Sequence, residues 1–511
     1  MTARPQSRAQ NEARVAHEDL VIFINACFAC TGQREFYSDG HRQTVAIAFL
    51  HDYVRGNYRR LYALTLAAGI NHYNQALVIL GLLAESRGLD PAARREEGQL
   101  VRAALRALPP QRAYRVLVGL RERGVNNRRA RAIVREYLAA RPDLVFDALK
   151  YRGKLRALVR HAHPGLPGEL GLFLGRGWKE RRYHTPLLER FRAAHYGADA
   201  LYDLPFTIAE GLAARHGVPR DRFLARIAPR LTARERLRLQ ESARRSGAAI
   251  AIDLHRAPLT QLALYALSLP ESERRARLEE LDAALRASAA RAARQSGIRL
   301  GRVVAVLDRS YSSSGSREKP RRPLAVAVAS HYLLAAAADD YHAEWTLPIE
   351  HPLLAWPRGQ TDLATPLLAA LERRPDLVIV LSDGHDNDPP GAAGALLELF
   401  RRHLDPRGEV LVVHANPVFE ANELGPRGLG PAAPTLGLRE AEDLPTLLAF
   451  ARFAAGAVAL AELEAYLEAR AAALLARHAD PRPIAEPALA PDPRAPAELT
   501  DDALADEEDP A

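Results

Sequence analysis

Hydroxyl and carboxylate side chains in three loops of this chain could together bind a divalent cation. The oxygen-bearing side chains are Asp308, Ser310, Ser312, Thr361 and Asp383. The loops follow predicted strands, among them the apolar runs 303–307 and 377–381, and ligands bind beyond the carboxyl ends of strands in open α/β sheets. Magnesium prefers near-octahedral oxygen ligands and keeps some of its waters, so three hydroxyls and two carboxylates suit it. The pattern predicts a Mg²⁺ site, or a site for another divalent cation. The alternative is a chance occurrence of a short motif.

After residues 296–297 the apolar pattern alternates between strands and helices. This alternation predicts a parallel sheet with helices on both faces. The expected strands are 302–307, 343–347, 376–382 and 409–415. The expected helices are 323–338, 361–373, 392–403 and 444–454, with a last helix at about 457–478.

The part of the chain before residue 296 is predicted to be all-α. Apolar residues recur at three- and four-residue spacing, and short polar or Gly/Pro segments separate the helices. Helices of ten to fifteen residues joined by short loops are typical of a HEAT-like solenoid or ring of irregular repeats. The predicted domains are a helical domain at 15–295, an α/β domain at 298–456, a C-terminal helix at 457–479 and a disordered acidic tail at 480–511.

Charge is unevenly distributed along the chain. The net charge is +8, yet the tail from residue 480 carries ten acidic and two basic side chains. Between Arg94 and Arg160 there are 18 Arg and Lys against six Asp and Glu. Concentrated positive charge on a folded domain favours a polyanion partner. The alternative is a solvated arginine-rich helical face.

The remaining composition points to an ordinary soluble protein. There is no apolar run of 18 residues and no N-terminal signal core, so we expect a cytoplasmic protein that does not contact a membrane. Cys27 and Cys30 could be half of a zinc site or a redox pair, but two small residues on a buried helix face are the favoured interpretation.

The three loops resemble the metal-ion-dependent adhesion site of von Willebrand factor A (vWA) domains. Asp308-Arg309-Ser310-Tyr311-Ser312 is similar to the Asp-x-Ser-x-Ser loop of that family. Gly359-Gln360-Thr361-Asp362 is similar to its Thr loop, and Ser382-Asp383-Gly384 to its Asp loop. The resemblance implies that a carboxylate from a protein partner fills the open coordination position. Tyr311 departs from the family, which usually has a small residue there, and its ring is expected to crowd that position.

A helical region followed by a vWA-like domain resembles the Ro, or TROVE-module, family of RNA-binding proteins. Lys150-Tyr151 and the segment Leu158-Val159-Arg160-His161-Ala162-His163-Pro164 are similar to the family's Lys-Tyr … Leu-Leu-Arg-x-x-His-Pro elements, with a spacing four residues shorter. The Arg-rich segment 127–137 is similar to the helix that precedes them. The resemblance implies binding of small non-coding or misfolded RNA and of single-stranded RNA ends. The candidate RNA-contacting residues are Arg128, Arg129, Lys150, Lys154, Arg160 and His163. Tyr137, Tyr151, His161 and His163 could stack on unpaired bases. The alternative for each aromatic residue is packing in the core, and Tyr151 is expected to face inward.

The sequence does not favour an enzyme. It has no Walker-type loop, no His-Glu-x-x-His and no nucleophile elbow. The predicted function is therefore non-catalytic RNA binding in RNA quality control or a stress response. The alternative is an adaptor that works with a MoxR-like or FtsH-like AAA+ ATPase without RNA, as many bacterial vWA proteins do.

Overall fold

The computed structural model describes residues 8–85, 88–179, 182–248, 250, 252–455 and 459–478. The chain divides into two compact units. Unit 1 comprises Met1–Ala104 and Leu231–Ala473, and unit 2 comprises Leu105–Arg230 and Leu474–Ala511. The acidic tail predicted at 480–511 lies outside the described residues. No helix in the described part of the chain is both long enough and apolar enough to cross a membrane.

The chain before the sheet is helical, as predicted. The first helices are α1 (Arg8–Ala29), α2 (Gly40–Asn57), α3 (Arg59–Leu64), α4 (His72–Ala84) and α5 (Pro91–Ala107). Asp39 and Asn71 begin α2 and α4 by accepting a hydrogen bond from the backbone N–H three residues on, which satisfies a donor that the helix cannot pair internally. Cys27 and Cys30 are buried at the end of α1, as their favoured interpretation required.

Unit 2 is built from short helices around an apolar core. They are α6 (Pro110–Glu122), α7 (Arg128–Ala139), α8 (Leu144–Lys150), α9 (Arg152–Ala162), α10 (Leu170–Arg176), α11 (Pro186–Ala194), α12 (Phe206–Arg215) and α13 (Arg220–Ile227). Helix α9 packs against α6, α7 and α8. The buried side chain of Asp147 accepts a hydrogen bond from Tyr114 Oη at 2.9 Å and forms an ion pair with Arg141.

Unit 1 continues with four helices that lead to the sheet. They are α14 (Ala233–Ser246), α15 (Leu259–Ser268), α16 (Glu271–Ala276) and α17 (Leu278–Ser296). The sheet has five parallel strands, β1 (Leu300–Leu307), β2 (Ala338–Trp345), β3 (Leu377–Leu381), β4 (Leu411–Asn416) and β5 (Thr435–Gly437), in the order β2-β1-β3-β4-β5. The later helices are α18 (Arg322–Ala337), α19 (Ala364–Glu372), α20 (Ala392–His403), α21 (Leu444–Ala454) and α22 (Leu460–Arg477).

Helices cover both faces of the sheet. On one face α19 and α20 pack against side chains of β1, β3 and β4, including Val304, Val306 and Val380. On the other face α18 lies against β1 and also contacts α15 and α17. Because both faces are covered, β1 and β3 are almost continuously apolar rather than alternating. The predicted fold class, a helical region followed by an α/β domain with a parallel sheet, is confirmed.

Two sequence predictions about the sheet were wrong. The second strand runs over Ala338–Trp345 and not over 343–347. It is an edge strand that follows α18 without a break and carries Asp339 and Asp340, so its first half does not read as buried strand. The three-residue strand β5 at the opposite edge was missed because it is too short to leave an alternating pattern.

Candidate functional site

The predicted cation ligands lie where the strand order of the sheet reverses. From β1 the chain passes to β2 on one side and then returns to β3 on the other side of β1. The loops after β1 and β3 therefore open a crevice between them, which is the usual ligand position in sheets of the order 2-1-3-4-5. Leu307 pairs with Leu381, so Asp308 and Asp383 follow neighbouring strand ends.

The loop after β1 turns its oxygen atoms towards one another. Asp308 Oδ1 accepts a hydrogen bond from the backbone N–H of Ser310 at 2.7 Å, and Oδ2 accepts one from Ser310 Oγ at 2.9 Å. Ser310 Oγ also lies 3.1 Å from Ser312 Oγ. One carboxylate and two hydroxyls of the predicted set are thus in direct contact.

Backbone hydrogen bonds join the Thr361 loop to the other two loops. The N–H of Tyr311 donates to Gly359 O at 3.0 Å. The N–H groups of Asn387 and Asp388 donate to Thr361 O at 3.0 and 3.1 Å. The five predicted ligand side chains are all buried. The structure therefore brings the three predicted loops together at one edge of the sheet.

The electrostatics of this edge favour a cation. Burial and the nearby charge of Asp383 raise the pKa of Asp308 well above its usual range. Neither carboxylate forms an ion pair with a residue that the structure describes, and buried charges are costly unless they are paired or bind a metal. A small cavity of about 10 Å³ lies against Asp308, Ser382 and Asp383, which is close to the space that one water requires. The donor set fits a hard cation such as Mg²⁺.

The site differs from a zinc-type cluster of His and Cys. Among the described residues there is no group of three or more His, Cys, Asp or Glu suited to a metal. The site has two carboxylates, and its other donors are hydroxyls. This composition separates it from sites that bind transition metals through imidazole or thiolate.

Two further residues at the site are not among the five predicted ligands. Thr346, just after β2, donates from Oγ1 to Asp308 Oδ1 at 3.4 Å. Asp386 accepts hydrogen bonds from the N–H groups of Leu363 and Ala393 at 3.2 and 2.7 Å. It therefore links the Thr361 loop to the first turn of α20. Asp386 lies in a carboxylate-rich loop that the sequence displays, whereas nothing in the sequence marks Thr346.

Aromatic rings lie over the site. The ring of Tyr311 is 65% exposed and meets Phe36 edge to face, with ring centroids 6.0 Å apart. The ring of Tyr37 lies against the imidazole of His385 at a centroid distance of 3.9 Å. Tyr37 and Phe36 come from the loop between α1 and α2, and no sequence signal connects that loop to the site.

The candidate RNA-contacting residues lie on α7, α8 and α9 of unit 2. Arg128 and Arg160 are exposed, and Arg129, Lys150 and Lys154 are partly exposed. The ammonium group of Lys150 lies over the ring of Phe146, 5.4 Å from its centroid. His163 ends α9 in a left-handed conformation at φ 47° and is exposed.

Not all the aromatic candidates are available for stacking on bases. The ring of Tyr137 is 5% exposed and packs against Tyr114. Tyr151 is partly buried beside the ring of Tyr114. His161 is held by the carbonyl oxygen of Val125 at 2.8 Å. Tyr137 therefore belongs to the core of unit 2, because the apolar face of α7 is directed inward, and the alternative of core packing holds for this residue.

Exposed arginines cover the outer surface of α6, α7 and α9. Between residues 105 and 162 there are 15 Arg and Lys against four Asp and Glu. Eight arginines are exposed and form no ion pair with any residue that the structure describes: Arg112, Arg115, Arg121, Arg123, Arg128, Arg131, Arg135 and Arg160. The exposed acids among them are Glu122 and Asp143. This surface therefore carries a large excess of positive charge.

Fold and sites together define a class of protein with a helical region and an α/β domain whose strand ends carry an oxygen-rich site. A solved structure with a similar fold is that of the Ro (RSR) protein of Deinococcus radiodurans. The similarity covers 86% of this chain and 100% of that chain, with a TM-score of 0.52 and 15% sequence identity. No family model and no curated protein matches the sequence. The resemblance to Ro proteins is therefore confirmed at the level of the fold.

Proposed function

We propose that this protein is a non-catalytic, Ro-like RNA-binding protein that acts on small structured RNAs and on single-stranded RNA ends. The observation that carries the proposal is the set of eight exposed arginines without ion pairs in unit 2. The fold shared with a Ro protein supports it, and so do the Ro-like motifs around Lys150 and Arg160. A role in RNA quality control or a stress response follows from the resemblance.

The physical basis of binding is release of counterions from phosphate. Each exposed arginine can neutralise one phosphate, and its fork of N–H donors can bind two phosphate oxygens at once. Arg128, Arg131 and Arg135 lie along the exposed face of α7 at three- and four-residue spacing, so their side chains follow one line. A row of cations on a stable helix suits a phosphate backbone.

The test removes that row and compares it with an equal loss of charge elsewhere. Arg128, Arg131 and Arg135 are replaced together by Ala, and affinity for a fluorescent single-stranded RNA is measured over a salt series. Affinity should fall, and the log–log salt slope should become shallower by about 2, at about 0.7 per phosphate contact. The control replaces Arg42, Arg256 and Arg407 of unit 1, which are exposed and already paired with acids.

The control variant should bind RNA as the wild type does. Equal losses in both variants would show that only net charge matters. If the wild-type protein binds neither structured nor single-stranded RNA at roughly 50 mM salt, where phosphate contacts are strong, the RNA proposal fails. The adaptor function with an AAA+ ATPase would then be preferred.

We further propose that Asp308, Ser310, Ser312, Thr361 and Asp383 hold Mg²⁺ or a similar divalent cation. The support is the buried pair of carboxylates without a cationic partner, together with the hydroxyls in contact with one of them. A bound cation would supply the charge that these carboxylates lack. The resemblance to vWA sites suggests that the cation also receives a carboxylate from a protein partner.

A further inference from the structure

The loop between α1 and α2 lies on the proposed metal site and is fixed there by buried polar contacts. We call residues 32–38 the cover segment. Glu35 is buried and forms an ion pair with the buried Lys319, seven residues after Ser312. Ser316 Oγ donates to Arg34 O at 2.7 Å, and the N–H of Arg34 donates to Glu318 Oε2 at 3.1 Å. These contacts lie within unit 1.

A tight turn within the cover segment places an aromatic pair over the ligands. The N–H of Glu35 donates to Ser38 O at 2.8 Å, so Phe36 and Tyr37 lie at the tip of the turn. Phe36 meets Tyr311, and the ring of Tyr37 lies 3.9 Å from that of His385, two residues after Asp383. The turn thus contacts the loops of Asp308 and of Asp383 together.

The side chain of Tyr37 lies beside the ligand loops. Its ring contacts that of His385, two residues after Asp383, and burial and the nearby carboxylate of Asp383 raise the pKa of its phenol. The ring is 43% exposed, so the other side of Tyr37 faces solvent. The phenol therefore lies where solvent meets the ligand loops.

We propose that the cover segment is the resident partner of the metal site, with Tyr37 as an oxygen donor to the cation or to one of its waters. This inference rests on the metal site proposed above. A phenol oxygen is a hard donor, which suits Mg²⁺, but it lacks the charge of a carboxylate. The bound cation therefore holds the cover segment against the sheet, and an outside carboxylate gains access by displacing Tyr37.

Coupling of this kind is reciprocal: if the cation stabilises the cover segment, the cover segment must strengthen cation binding by the same factor. Backbone hydrogen exchange of residues 32–38 is measured in the full chain with and without Mg²⁺. Mn²⁺ affinity is measured by calorimetry for the wild type and for Tyr37→Phe. We expect Mg²⁺ to slow exchange, and the variant to bind Mn²⁺ more weakly, each by at least about fivefold, the low end of typical coupling.

The matched control is Tyr53→Phe. Tyr53 is a similarly exposed tyrosine on α2 whose hydroxyl donates to Asp19 and not to the site. The Tyr53→Phe variant should bind Mn²⁺ with the affinity of the wild type. Asp308→Asn should abolish the effect of Mg²⁺ on exchange of the cover segment.

The outcomes separate this inference from the site on which it rests. If the wild type binds Mn²⁺ but neither exchange nor the Tyr37→Phe affinity changes, the cover segment is not a partner and the metal site stands. Tighter binding by Tyr37→Phe would mean that Tyr37 obstructs the cation, which also overturns the inference. If the wild type binds neither Mg²⁺ nor Mn²⁺, both proposals fall, while RNA binding is decided by its own titration.

Discussion

Asp308 and Asp383 follow neighbouring strands whose ends are fixed in register, because the N–H of Asp308 donates to Leu381 O at 3.0 Å. The two carboxylates are therefore held in one buried crevice, where burial and the charge of Asp383 raise the pKa of Asp308. This repulsion leads to opposite expectations for the metal-free and the metal-bound protein.

Asp308→Asn should reverse the effect of Mg²⁺ on stability. Without metal the variant should be at least as stable as the wild type, because it lacks one of two buried like charges. At a Mg²⁺ concentration of 100 times Kd the wild type should gain about 2.7 kcal/mol, and the variant should gain almost nothing. Urea unfolding with EDTA and with Mg²⁺ measures both differences. Asp362→Asn is the control, since it removes a neighbouring charge but keeps an acceptor for the N–H of Thr365.

Lys150 and Arg160 should contribute to RNA affinity without contributing to folding. Replacing both by Ala removes two cations at the surface of α8 and α9. Affinity for single-stranded RNA should fall, and the salt slope should decrease by about 1.4 if each contacts one phosphate. The unfolding midpoint should change little. A variant that binds RNA like the wild type at every salt concentration would remove these two residues from the proposed surface.

Two histidines of unit 1 should each reduce its stability in acid. Burial lowers the pKa of His331 to about 4 and that of His414 to about 4. Between about pH 4 and 6.5 the unfolded chain binds more protons at these two histidines than the folded protein does. The folded protein therefore loses stability as pH falls through this range. Each histidine should cost on the order of 2–3 kcal/mol across that window.

The carboxyl of Asp443 acts in the opposite direction. Burial raises its pKa to about 6, and burial beside Asp383 raises that of Asp308 to about 7, so the folded protein gains stability at both carboxyls as pH falls. The contribution of a histidine to the pH dependence of stability must therefore be measured as the difference between the wild type and a variant. His331→Gln should lose less stability than the wild type between pH 6.5 and 4.5, measured by urea unfolding. His163→Gln, at an exposed position, should follow the wild-type curve.

Asp147→Ala should destabilise unit 2. Asp147 is 1% exposed and serves both Tyr114 and Arg141, so its loss leaves a buried hydroxyl and a partly buried cation without their acceptor. Breaking such a pair costs about 3–5 kcal/mol. Asp143→Ala, which removes the exposed side chain that caps α8, should cost only about 1 kcal/mol. Similar losses in the two variants, by thermal or urea unfolding, would contradict this role of Asp147.

The amino-acid sequence determined those features that depend on neighbours in the chain. Strands β1 and β3 were recognisable because buried parallel strands are continuous apolar runs. The Asp308 and Asp383 loops could be placed at one edge of the sheet because parallel strands direct their carboxyl ends the same way. The helical spacing of the arginines in α7 predicts that they face solvent. The same spacing places Tyr137 on the opposite, buried face of the helix.

Only the tertiary structure decided what lies opposite these elements. The edge strand β2 begins five residues before its predicted start, because pairing with β1 extends it through Asp339 and Asp340 despite their polarity. Tyr37 lies on the ligand set because Glu35 and Lys319, far apart in sequence, form a buried ion pair. Such contacts depend on packing between distant segments and leave no periodic pattern in either segment. Local spacing therefore predicted the ligands, and long-range packing determined what covers them.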